Sequence, residues 1–248
     1  MSRRKRIICI VLLSILLLIV GLAVWQRNNI SALLSFVRFS QEELEEKIAD
    51  NDQKIKDAVE KLPDVTIRDI TEEEKEALRD GSLTREELTE NLVKPVVKPE
   101  QKPETVQPKP QTPAVDPTPQ PTPEEQAKAE YEKKLSAVLA KVYVLREEFL
   151  IKLDALQAEA IAEYRALPEG ERSASALTGM VGKYMSRGLA LEKQCDQRMD
   201  EILVELEALI QENNGDESLP QTVFDTYVEE KSLKKALYME KLKKRGLV

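Results

Sequence analysis

Leu135, Val138, Val142, Leu145, Phe149, Leu153, Leu156 and Ala160 follow one another at intervals of three and four residues. Beyond Pro168 the same spacing returns in Leu177, Val181, Tyr184, Gly188, Leu191, Cys195, Met199, Ile202, Leu206 and Leu209. Apolar positions so spaced share one face of an α-helix, and the pattern predicts two long helices. Each run holds one consecutive pair of four-residue steps, centred on Phe149 and on Cys195, the mark of a stutter in a heptad repeat. Their midpoint is residue 172, inside the turn-forming stretch 167–175. An antiparallel hairpin folded there sets both irregularities at one height. Asn213-Asn214-Gly215-Asp216 closes the second helix, and a third begins near Ser218 with Pro220 in its first turn. Phe224, Tyr227, Val228, Tyr238 and Leu242 give this third helix a loosely apolar face, so residues 124–248 are expected to form an antiparallel helical hairpin or a three-helix bundle.

Helical spacing also governs residues 26–92. Ile30, Leu33, Leu34 and Val37 share a face, with Phe36 and Phe39 nearby, which suits a segment lying along a lipid headgroup boundary. Ser40 with Glu43 forms a capping box. Leu44, Ile48, Asn51, Ile55, Ala58 and Leu62 then make a short seam with one polar position, stopped by Pro63. This seam would pair two chains into a homodimer beside a bilayer; the alternative is an ordinary amphipathic stalk helix. Thr71 with Glu74 and Thr84 with Glu87 are further capping boxes, giving two short helices joined at Asp80-Gly81. Asp80, Gly81, Leu83 and Glu87 match the second half of an EF-hand loop, but Glu76 and Leu78 spoil the first half, so no calcium site is expected. The helix, Gly81, Thr84-Arg85-Glu86-Glu87, helix order resembles the small units called SHOCT domains. That resemblance covers some twenty residues and implies an oligomerisation or interaction element.

The first 25 residues set the compartment. Four cations, Arg3 to Arg6, precede an uncharged run from Ile7 to Trp25. Nineteen helical residues extend roughly 28 Å, close to the hydrocarbon thickness of a bilayer. The chain is therefore expected to have a cytoplasmic tail (1–6), a transmembrane helix (7–25) and everything beyond on the outer face of the plasma membrane, because only Arg27 and Arg38 follow closely. The competing reading is a cleaved signal peptide, with Gly21 and Ala23 as a small-x-small site.

Ten of the thirteen prolines fall between Lys94 and Glu125. Such a tract favours extended polyproline-II structure and is expected to act as a linker (93–123) that holds residues 124–248 away from the bilayer. The rival reading is a ligand for a proline-binding domain. The expected fold is thus all-α: one N-terminal span, a short helical stalk, a proline-rich spacer and a distal helical module.

Composition narrows the chemistry. A third of the residues are charged, 4% are aromatic and histidine is absent, which removes the usual general base and the commonest metal ligand. No Gly-rich phosphate loop, Cys-x-x-Cys pair or nucleophile motif stands out, so no enzyme activity and no cofactor are expected. Cys9 and Cys195 give no disulfide framework, and Cys195 lies in the helical seam as a buried thiol. The net charge of −8 is uneven, with basic runs at both ends, which argues against nucleic acid as a partner. Lys234, Lys235, Lys241, Lys243, Lys244 and Arg245 form the candidate site: either a helix end whose cations complement the macrodipole, or a patch that docks on an anionic envelope polymer or an acidic partner. The function expected is an envelope scaffold or adaptor anchored by its single span and binding an unidentified envelope component; the alternative is an extracytoplasmic sensor or accessory subunit of a membrane complex.

Overall fold

The computed structural model describes residues 27–62, 65, 67–93, 122–171 and 174–244. Every regular element among them is helical, as expected for an all-α chain. In chain order these are α1 (Arg27–Arg38), α2 (Gln41–Glu60), α3 (Glu72–Asp80), α4 (Arg85–Val93), α5 (Pro123–Ala166), α6 (Ala174–Asn213) and α7 (Leu219–Lys244), with a single 3-10 turn at Glu169–Glu171. Among the described residues no helix is long and apolar enough to cross a membrane. The expected tail (1–6), span (7–25) and most of the proline tract lie outside the described residues. The chain divides into two compact units, one drawn from Met1–Ala58 with Ser218–Val248, the other from Val59–Glu217. This division runs through both the 26–92 stalk and the 124–248 module.

In the second unit α5 and α6 form the antiparallel hairpin that the spacing predicts. Glu163 meets Lys183 at 2.6 Å, Glu159 meets Arg187 at 2.6 Å, Glu148 meets Arg198 at 2.6 Å and Lys141 meets Glu205 at 2.7 Å. All four pairs are centred on residue 173, one residue from the midpoint of the two stutters. The seam is graded. Leu135, Val138, Val142 and Leu145 are buried, as are Cys195, Met199, Ile202, Leu206 and Leu209. Towards the turn, Phe149, Leu153, Leu156, Val181, Tyr184, Gly188 and Leu191 are only half-buried, because two helices by themselves cannot close around a seam.

The deeper burial of the inner half has a second cause. Leu88 and Leu92 of α4 pack against Ala140 and Val144 on the other side of α5, enclosed by Ile67, Ile70, Leu78, Leu83, Val93 and Tyr143. Thr71 accepts from the Glu74 N–H at 3.3 Å while Glu74 accepts from the Thr71 N–H at 3.1 Å, and Thr84 with Glu87 repeats the exchange at 3.2 and 2.9 Å. Gly81, at φ 80°, ends α3 in the left-handed region that favours glycine. The small helix-turn-helix is thus built as its capping residues dictate, but it is docked on a helix far along the chain.

That docking brings together elements that stand on either side of the proline tract in the chain. α4 precedes the tract and α5 follows it, yet the two are packed together. Measured along α5, the contact at Ala140 lies roughly 25 Å from Pro123. A polyproline-II tract of this length could extend to about 87 Å. The tract therefore joins two elements that touch. Leu88 and Leu92 require this: two helices of nine residues each are too small to bury those side chains themselves.

The first unit holds a larger departure. α7 packs on α1 and α2, whereas its expected place was as third helix of the distal module. Leu44 and Ile48 of α2 are buried with Leu233, Ala236 and Leu237 of α7, flanked by Phe36 and Phe39. Asn51, fully buried, donates from Nδ2 to the Thr226 carbonyl at 2.9 Å. Lys54 meets Glu229 at 2.6 Å, and Lys244 donates to Gln41 at 3.0 Å, so the two helices run antiparallel. The α2 face that heptad spacing offers to a second chain is taken up by α7 of the same chain.

Two predictions follow from this packing. Asn214, at φ 52°, takes the left-handed cap position of α6, and the Gly215 N–H bonds the Ile210 carbonyl at 2.9 Å. Gly215 is required for space: a Cβ there would overlap the Tyr131 hydroxyl and stand 3.2 Å from Cζ. Gly215→Ala is expected to lower the unfolding free energy by about 1–3 kcal/mol in urea, and Tyr131→Phe in the same chain to recover most of that. Asn51 Oδ1 is buried with no hydrogen-bond partner, so Asn51→Val is expected to raise stability by about 1 kcal/mol, read from the same denaturation curves.

Candidate partner-binding surfaces

The basic residues near the C-terminus lie on or just beyond the last turns of α7. Lys244 is turned towards the acidic start of α2, donating to Gln41 and standing 3.8 Å from Glu42. The Glu42 carboxyl is held below its usual value, chiefly by a hydrogen bond to backbone and then by Lys244. Lys241 stacks over the Tyr238 ring at 5.5 Å, one turn away. Lys234, Lys235 and Lys241 are half-buried. Arg245 and the Lys243 side chain lie outside the described residues. The described part of the cluster thus spends Lys244 on its own chain. Antiparallel pairing sets the cationic C-terminal end of α7 beside the anionic N-terminal end of α2, where each also complements its own helix dipole.

A node that motif reading passes over lies at Glu148. It accepts from Arg198 of α6 at 2.6 Å and from Lys152 one turn along α5, and Arg85 of α4 stands 3.8 Å away. Three helices converge on this carboxylate, whose side chain is only 14% exposed. Burial pushes its carboxyl up, but hydrogen bonds from Lys152 and Arg198 outweigh that and hold it below the usual value. The hairpin register alone sets Glu148 opposite Arg198. Arg85 arrives only because α4 docks on α5.

The remaining carboxylates of note are engaged locally. Asp80 accepts from the Ser82 N–H at 2.8 Å and Glu87 caps Thr84, so the EF-hand-like residues serve the turn and the helix that follows. Glu74 caps Thr71 and also takes a two-pronged bond from Arg68 at 2.6 and 2.7 Å. That bond holds the Glu74 carboxyl below its usual value. Among the described residues no group of three or more Asp, Glu or Cys side chains is placed to hold a metal ion. Cys195 is buried in the seam at 5% exposure.

The hairpin leaves apolar side chains open to solvent on α6, among them Val204 at 66% exposure on the inner half. Met185 and Leu189, one turn apart on α6, are 56% and 49% exposed. At Gly179 and Gly182 a Cβ would meet nothing within 4 Å. Glu159 with Arg187 and Glu163 with Lys183 flank the outer half and report the register of the two helices.

Because the Glu148 carboxyl is depressed in the folded chain, its contribution to stability is present above the ordinary value of 4.5 and is lost as pH falls through the folded value. Glu148→Gln is expected to cost about 1–2 kcal/mol at neutral pH, with the gap from the parent closing as pH falls through the lowered folded value. Glu163→Gln, whose ion pair is open to solvent, should leave the denaturation midpoint unchanged over the same range.

No known protein family, no curated protein and no solved structure matches this chain.

Proposed function

We propose that the protein is a non-catalytic scaffold or adaptor of a bacterial cell envelope, anchored by residues 7–25 with its C-terminus outside the cytoplasm, and that the α5–α6 hairpin is the arm it presents to a partner. The observation that carries this reading is the exposed pair Met185 and Leu189 on the outer half of that arm. Large apolar side chains at one-turn spacing are the anchors by which a helix face seats on a partner. The ion pairs Glu159–Arg187 and Glu163–Lys183 lie on that same half, in the register that the apolar seam sets. Reach comes from the hairpin itself: α5 has 44 residues and extends about 66 Å. Glu74, Glu87, Glu148, Glu159 and Glu163 are engaged in caps and ion pairs, which favours binding over chemistry. The basic end of α7 supplies a second contact, to an anionic envelope polymer or acidic partner.

Two measurements test this reading. A phosphatase fused after Val248 should be active and a cytoplasm-dependent fluorescent reporter dark; the reverse result would overturn the orientation. A photo-crosslinking residue at position 185 or 189, in intact cells, should give one discrete product common to both sites. The product should be absent from the inner-hairpin position 207 and abolished by Leu189→Glu when the probe is at 185. Equal labelling at 185, 189 and 207 would sink the arm as a binding surface.

A further inference from the structure

α1 has two faces of opposite fate. Ala32 is 2% exposed, and Phe36 and Phe39 pack against the cluster formed by Leu44, Ile48, Leu233, Ala236 and Leu237. On the other side Leu33, Leu34 and Val37 are 52%, 64% and 77% exposed. At about 100° per residue these three fall within an arc of roughly 100°, a continuous aliphatic stripe with no described covering. The sequence of α1, Arg-Asn-Asn-Ile-Ser-Ala-Leu-Leu-Ser-Phe-Val-Arg, contains no acidic residue and carries a cation at each end. Aliphatic stripe, polar flanks and terminal arginines together have the composition of a helix that lies in a lipid interface.

Chain continuity identifies the occupant. α1 begins two residues after Trp25, the last residue of the uncharged run. Even with those two residues fully extended, Leu33 lies no more than roughly 16 Å from Trp25. If residues 7–25 span a bilayer, the stripe is therefore confined to the neighbourhood of its surface. Acidic residues begin only at Glu42, on α2, so the charges nearest the stripe suit anionic headgroups.

We infer that the outer face of α1 seats on the bilayer that residues 7–25 cross, with Leu33, Leu34 and Val37 among the upper acyl chains and Arg38 at the headgroups. This rests on the anchored reading above and adds to it: the unit made by α1, α2 and α7 is held against the membrane along a helix and not only by the end of a span.

The test uses the full chain in nanodiscs containing phosphatidylglycerol, with Cys9 and Cys195 replaced by alanine and one cysteine introduced at Leu16, Leu34, Val37 or Glu207 for a fluorescent label. At 34 and 37, iodide quenching should be about threefold or more weaker than at 207, and lipids brominated in the acyl chain should quench the label. Labels at 34 and 37 as open to iodide as at 207, with 16 shielded, would overturn the inference and leave the anchor standing. Shielding from both iodide and brominated lipid would assign the face to a second copy or another protein, which also overturns it. A label at 16 that iodide reaches freely would remove the anchor, and the inference with it.

Discussion

The antiparallel packing of α5 on α6 is the contact on which the larger unit depends. The apolar stripe through Leu135, Val138, Val142 and Leu145 can be removed from water only against Cys195, Met199, Ile202, Leu206 and Leu209 if the chain turns near residue 173. Each buried aliphatic side chain contributes about 1.5–3 kcal/mol, well above what a solvent-exposed ion pair adds. The stripe therefore sets the register, and the charged pairs that flank it report it. With that platform fixed, the back of α5 offers Ala140 and Val144 to α4, whose Leu88 and Leu92 have no other means of leaving water. Burial grows from the turn inwards as further helices are added.

The smaller unit is organised on different terms. α2 and α7 share a short apolar contact, and α7 also buries the polar residues Thr226, Glu230, Lys231, Ser232 and Glu240. Buried polar groups at helix seams contribute less to stability than apolar ones, but they penalise shifted registers. Asn51 illustrates this, holding the Thr226 carbonyl with Nδ2 while Oδ1 is left unbonded. Its neighbours Lys54–Glu229 and Lys244–Gln41 are satisfied only in the antiparallel order. Lys244, at the end of α7, belongs first to this pairing.

Much of the chain was legible because the forces involved are local. Capping boxes at Ser40, Thr71 and Thr84 need a partner three residues away, and each forms as its spacing requires. The hairpin register could be read because each stutter leaves a mark in its own helix, and two marks define a fold-back point. Glu148 was not legible as a meeting point, since nothing in its surroundings signals that Arg85 arrives from across the proline tract. The exposed pair on the outer hairpin was hidden for a related reason: periodicity names the seam, while exposure of Met185 and Leu189 depends on no further helix covering that side.

By itself the sequence determined that the chain is helical, where most helices start and stop, and how α5 turns back on α6. All of these depend on interactions within a few turns or on one strong periodic signal. Only the tertiary structure showed that α4 docks on α5 and that α2 takes α7 as its partner, so that residues on either side of the tract are packed together. The physical reason is that an amphipathic face specifies what it must exclude, water, but not which equally apolar face will exclude it. That choice is made by the total area buried when all the helices are present together.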